Sequence, residues 1–265
     1  MWSWRGKRYL GGAHGVAGIL HTLLQCPAHL LSPDACADIW ATLAWLLRLQ
    51  DKDGNWRTAA PAADAAFDTH ELVQWCHGAP AVLLLLCRAL RHPSAARHAH
   101  ALPALARAVD RAAALVYRHG LLRKGLGACH GVAGSVFALL ACARLYLHPP
   151  AAWAEGEAPA WAGEAPAGAG HARRESAEGS EGSAGSPTPT AHAPGRAAVA
   201  RAAHLAHLAR TPAVCAKMGV PARPHSLYEG LGGMCCAWAA VLGALRACGA
   251  REGCWGVPGY DDLGL

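Results

Sequence analysis

Residues 127–135 read GACHGVAGS, and the same phrase stands, slightly altered, at 11–19 as GGAHGVAGI. A third version, QWCHGAPAV, occupies 74–82, and a fourth, YEGLGG, occupies 228–233. Aligned on their shared glycine, the phrases put His14, His77, His130 and Glu229 in one place, preceded by Ala13, Cys76, Cys129 and Tyr228. Small residues and then a long apolar run follow each time, so every phrase opens a helix. The intervals between the aligned residues are 63, 53 and 99, and the last falls to 51 once the 48-residue tract 149–196 is set aside. A period of about 50–60 residues holds two helices and two loops, so the repeating unit is a helical hairpin. Stacked hairpins build either a solenoid or a closed α/α ring.

The remaining sequence agrees with an all-α fold. Val16–Leu24, Pro33–Leu49, Ala79–Arg91, Leu102–Tyr117, Val132–Leu147, Ala197–Arg210 and Gly232–Ala247 are Ala- and Leu-rich stretches with Gly and Pro between them. β-branched residues are too few for a sheet. The tract Pro149–Arg196, rich in Gly, Ala, Glu, Ser and Pro, has almost no aliphatic residues to bury and reads as a disordered insertion in a domain covering 1–265.

Composition narrows the function classes. The 265 residues are 53% apolar, enough for a sizeable core, and the net charge of +6 comes from arginines scattered singly rather than massed on a stripe. A nucleic-acid partner is therefore not expected. The longest uncharged apolar stretch, Gly230–Leu245, is shorter than the roughly 18 residues that suggest a bilayer span. The opening MWSWRGKRYLGG is basic and aromatic and lacks the apolar run of a signal peptide, which points to the cytosol. There the 11 cysteines stay reduced. Cys87, Cys142, Cys235, Cys236 and Cys248 sit inside apolar helical runs, and Cys26, Cys36, Cys215 and Cys254 near segment ends, so all nine read as structural or incidental.

Cys76 and the Cys129–His130 pair are different, because the repeat alignment brings them to equivalent places on one rim. Two thiolates and an imidazole suit zinc. No CxxC or HxxxH clip is present, and small residues fitting a tight turn remain the rival reading of the same dipeptides. The glycines let several helix N-termini crowd together, so their N–H groups and positive dipole ends are expected to converge on an anion or thiolate.

Taken in order, YLGGAHGVAGIL, VQWCHGAPA, LLRKGLGACHGVAGS and HSLYEGLGG resemble the motif series of the LanC-like proteins, eukaryotic relatives of bacterial lanthionine cyclases. The likeness covers residues 9–147 and 225–245. It implies a toroid of seven inner and seven outer helices, with one catalytic zinc. It also implies addition of a thiol, glutathione on the eukaryotic side, to dehydrated Ser or Thr residues. Carried over by position, the zinc ligands fall on Cys76, Cys129 and His130, the acid/base histidine on His14, and a glutathione-contacting lysine on Lys124. Lys124 also reads as a cation capping a helix C-terminus. A basic residue upstream of the SLYEG motif has Arg223 as its nearest match.

The chain departs from the family pattern in several places. Ala81 replaces the last glycine of the WCxGxPG phrase and is expected to widen that turn. Leu72 stands where bacterial cyclases carry an arginine, which disfavours peptide cyclisation. Only about four of seven hairpins are present, so the expected architecture is an incomplete ring, the first three hairpins lying before Met1 or never encoded. His77 reads as a rim residue and Glu229 as a cap or an outer hydrogen-bonding group, while Trp4 and Trp75 read as wall packing.

The expected activity is zinc-dependent addition of glutathione to dehydroalanine or dehydrobutyrine in peptides or proteins. His14, unaccompanied by a cysteine, is left free for proton transfer. The alternative is a non-catalytic zinc- and glutathione-binding regulatory protein. A glycosidase on a related barrel is a distant third, since paired carboxylates are needed and only Glu229 among the repeat openings is acidic. The expected address is cytoplasmic, with peripheral association at the plasma membrane left open.

Overall fold

The computed structural model describes residues 2–60, 72–150, 193–246 and 257–258. The helices are α1 Val16–Leu23, α2 Pro33–Leu47, α3 Ala79–Arg91, α4 Leu102–His119, α5 Val132–Leu147, α6 Ala193–Leu208, the short α7 Pro212–Cys215, and α8 Leu231–Arg246. Two 3-10 segments, Ala28–Leu30 and Pro93–Ala101, precede α2 and α4. Among the described residues the extended pairing amounts to two isolated bridges, Trp4 with Lys7 and Tyr9 with Ala59. The fold is all-α, as the sequence requires.

Boundaries follow local chemistry. Helix α2 starts where Ser32 Oγ accepts the Ala35 N–H at 3.1 Å, with Pro33 in its first turn. It ends two residues short of the expected Leu49, because the Arg48 N–H turns back to the Trp45 carbonyl. Helix α6 starts at Ala193, four residues earlier than the composition suggests, so the end of the 149–196 tract is helical. The rest of that tract, from 151 to 192, lies outside the described residues. Cys248 and Cys254 do as well.

The four helices that follow the repeated phrases form an inner series, α1 packing on α3, α3 on α5, and α5 on α8. Helix α4 lies against α3 and α5, and α6 against α5 and α8, so hairpins alternate inner and outer helices. The burial pattern explains the choice. In α3 every residue from Ala79 to Cys87 is buried, and in α5 only Arg144 and Leu147 escape burial, as a helix surrounded on all sides requires. Helix α4 is amphipathic and buries one face, Leu105, Val109, Ala112 and Val116 among it. At the end of the series α8 leaves Leu231, Leu242 and Leu245 exposed, at 40%, 53% and 50%.

Candidate metal centre

The repeat phrases fold as a set of adjoining loops at one end of the inner helices. Each loop donates a backbone N–H to the next: Gly12 to the Trp75 carbonyl at 3.1 Å, Cys76 to Cys129 at 3.1 Å, and Cys129 to Tyr228 at 2.8 Å. The pairing keeps the alignment register, so side chains at equivalent positions stand side by side. Such close approach leaves no room for a Cβ. One added to Gly11 would lie 2.1 Å from the Cys76 carbonyl oxygen, and one added to Gly127 would lie 2.3 Å from that of Tyr228.

Within each loop the chain folds back to satisfy the start of its own helix. The Val16 N–H reaches the Tyr9 carbonyl at 3.0 Å, Val132 reaches Gly125 at 3.1 Å, and Leu231 reaches Pro224 at 2.7 Å. The expected crowd of free helix N–H groups is therefore corrected, because these donors are spent on carbonyls seven residues upstream. In the second repeat Asn55, 1% exposed, stands between the two partners. Its Oδ1 accepts the Ala79 N–H at 2.8 Å while its Nδ2 donates to the Leu72 carbonyl at 3.4 Å. Beside it Gly78 takes a φ of +109°, which a side chain would make costly. Ala81 is accommodated in full burial, so the departure in this turn is carried by Asn55 and Gly78.

On this rim the ligand-capable atoms of Cys76, Cys129 and His130 all lie within 4.8 Å of one another. Cys76 is buried and the other two are half-buried. The Cys129 thiol donates toward Cys76 and holds the Cys76 thiol below its ordinary range; the Lys124 charge adds to this against the opposing cost of burial. Cys129 is pushed up for the complementary reason, as donor to Cys76 and by burial, with His130 offsetting part of it. The contact between the two thiols thus pushes them in opposite directions. A divalent cation removes that conflict by taking both sulfurs as thiolates. Two thiolates and an imidazole fit zinc and leave a fourth position for a substrate.

The other expected site residues fall at different distances from this cluster. His14 is exposed, and its ring lies 6.5 Å from that of His77. Tyr9 sits near both, 5.8 Å from His14 and 5.6 Å from His77. His77, expected on the rim, is half-buried with an Nδ1 that has no hydrogen-bond partner. Lys124 is exposed, yet its charge reaches Cys76 and His77. Arg223 is exposed, and its carbonyl accepts the Ser226 N–H at 3.1 Å. The Glu229 N–H donates to Ser226 Oγ at 3.1 Å. Trp75 is buried against Tyr228, as wall packing requires. Trp4 is not wall packing: it is 52% exposed and stacks on His14 at 6.2 Å, carried by a tight turn in which Arg5 has a φ of +48°. Sequence reasoning missed Tyr9 and Asn55. The DKDGN turn at 51–55 marks a loop but says nothing about what its last side chain will reach.

Comparison with known proteins agrees with this architecture. Residues 1–152, more than half of the chain, match the model of the family described as "Lanthionine synthetase C-like protein". The chain belongs to the lanthionine synthetase C-like family. A Danio rerio protein named "Glutathione S-transferase LANCL1" is 31% identical over 150 residues, which are 56% of this chain and 34% of that protein. The chain thus aligns with about a third of that relative's length. His14, Cys76, Lys124, Cys129 and His130 fall inside the family match, while Arg223 and Glu229 lie beyond it.

Proposed function

We propose that this chain binds one zinc ion through Cys76, Cys129 and His130 and uses it to add a thiol, glutathione, to dehydroalanine or dehydrobutyrine residues of peptides or proteins. The observation that carries this reading is the convergence of those three side chains within 4.8 Å on a rim built by the repeats. The name of the Danio rerio relative supports glutathione as the thiol.

Zinc at this position would supply a Lewis-acidic centre that keeps an incoming thiol deprotonated and nucleophilic. The chain's residues do the rest. Lys124 lends positive charge to the sulfur cluster and so offsets the negative charge that a third thiolate brings. Sulfur attack at the acceptor β-carbon forms the C–S bond and pushes the C=C electron pair into an enolate. His14, in its protonated form, delivers a proton to the α-carbon. Tyr9 and His77 flank His14. We place the reaction in the cytosol, where thiols such as the exposed Cys215 and Cys235 stay reduced.

The test is elemental analysis together with the mass of a dehydroalanine peptide incubated with glutathione. The wild-type chain should carry zinc and increase the peptide mass by one glutathione, and Cys129→Ala should lose both. Full zinc content in Cys129→Ala would overturn the ligand assignment. Full zinc with no mass increase in the wild type would favour the non-catalytic binding role.

A further inference from the structure

The two sulfurs of the cluster have a second chemistry that needs no metal. The Cys76 N–H donates to the Cys129 carbonyl at 3.1 Å, so the two backbones already touch. Their sulfurs lie within 4.8 Å of each other. Disulfide closure requires Cα atoms roughly 4.4–6.8 Å apart and Cβ vectors that face each other. The direct backbone hydrogen bond and the convergence of the sulfurs within 4.8 Å favour both conditions, so closure calls for side-chain rotation and not for movement of a helix. Among the other described cysteines, Cys36, Cys87 and Cys142 are buried in α2, α3 and α5, Cys26 and Cys236 are half-buried, and Cys215 and Cys235 are exposed on separate helices. The half-buried Cys129 gives a dissolved oxidant access to the pair.

We propose that Cys76 and Cys129 are a redox pair, oxidised to an intramolecular disulfide by a small-molecule disulfide such as oxidised glutathione, with expulsion of the metal. One thiolate of the pair attacks a sulfur of the oxidant, forming a mixed disulfide and releasing one thiolate. The second cysteine, its proton passing to solvent, attacks the protein sulfur of that mixed disulfide and releases the other thiolate. Two electrons pass to the oxidant, which ends as two thiols. A divalent ion held at the site would be left with His130 alone and would be released unchanged. The site then stands intact only while thiol exceeds disulfide, the condition in which its co-substrate is also available. The disulfide half of this proposal depends only on the two thiols; the expulsion half rests on the proposed zinc site.

Zinc-loaded and zinc-stripped samples of the full chain are treated with oxidised glutathione, alkylated, and mapped without reduction by peptide mass spectrometry. Released metal is followed with a chromogenic chelator. Both samples should yield a Cys76–Cys129 cross-linked peptide pair, with one zinc released per cross-link in the loaded sample and reversal by dithiothreitol plus zinc. Alkylation of both cysteines after Cys215 and Cys235 have been oxidised would overturn the proposal. So would a stable mixed disulfide on one cysteine with the other still free. A cross-link in a chain that takes up no zinc would sink the zinc reading and the expulsion with it, while supporting the redox pair.

Discussion

Gly127→Ala puts one methyl group where the structure has no space and no charge is changed. The added Cβ would lie 2.3 Å from the Tyr228 carbonyl oxygen and from the Glu229 carbonyl carbon, both of them backbone atoms. Ordinary non-bonded contact needs about 3.5 Å, so the third and fourth loops must part by about 1 Å. The same Tyr228 oxygen accepts the Cys129 N–H at 2.8 Å, and that bond is lost as the loops part. Overpacking costs about 1–3 kcal/mol and the backbone hydrogen bond about 1 kcal/mol, for a total of about 2–4 kcal/mol. Because the strain acts on the backbone of a proposed ligand, about half of it, about 1–2 kcal/mol, is expected in metal binding, which is a loss of about 5–30-fold in zinc affinity. Chelator competition measures that affinity, and thermal melting monitored by circular dichroism separates it from unfolding. Gly243→Ala is the control, since a Cβ there meets nothing within 4 Å; in the last turn of α8 it should stabilise by at most about 0.5–1 kcal/mol and leave zinc unchanged. Wild-type affinity and an unchanged melt in Gly127→Ala would refute the close packing of the loops.

His14→Ala should retain zinc and slow glutathione addition by about 10²-fold or more, followed by the mass of a dehydroalanine peptide; loss of zinc would make His14 structural instead. Burial raises the Asp110 carboxyl from 3.8 to about 7, opposed by the hydrogen bond from Tyr146 and by Arg201, so the folded chain holds a proton that the unfolded chain gives up near pH 4. This stability is complete below about pH 4 and is lost as pH rises to about 7; Asp110→Asn should remove the slope and be about 2–4 kcal/mol more stable than wild type at pH 8 in denaturant titrations. The exposed Leu231, Leu242 and Leu245 stripe on α8 should drive concentration-dependent association in light scattering, and Leu242→Glu with Leu245→Glu should abolish it; a monodisperse wild type would contradict this.

The inner helices were legible because each announces itself twice, by the glycine-bearing phrase and by the apolar run after it. Cys76, Cys129 and His130 were legible for the same reason, since a shared register on a repeated rim brings equivalent positions together without any need to know the loop path. Asn55 was not legible: its partners Leu72 and Ala79 are 17 and 24 residues away, and no local pattern distinguishes a surface asparagine from one that caps a distant helix. Trp4 was misread for a related reason. Its aromatic character fits packing equally well, and only the tight turn at Arg5–Gly6, with both residues at positive φ, brings it over His14.

Two rows of side chains now define the rim. Ala13, Cys76, Cys129 and Tyr228 form one, and His14, His77, His130 and Glu229 the other. The second and third repeats both offer Cys-His, yet the cluster takes Cys76, Cys129 and His130 and leaves His77 out. The difference lies in the second loop. Where the first, third and fourth close with a direct bond from the helix start to the carbonyl seven residues upstream, the second has the width of the Asn55 carboxamide inserted between Ala79 and Leu72. The backbone next to His77 absorbs that insertion at Gly78, with a φ of +109° and a ψ of −164°, so the residue before it cannot follow the course that His130 takes. His77 lies instead toward Tyr9 and His14, at 5.6 and 6.5 Å. A rim of near-identical phrases thus becomes asymmetric through one buried amide: thiols from two neighbouring loops meet an imidazole from the third repeat, and the imidazoles of the first two are left together beside the cluster.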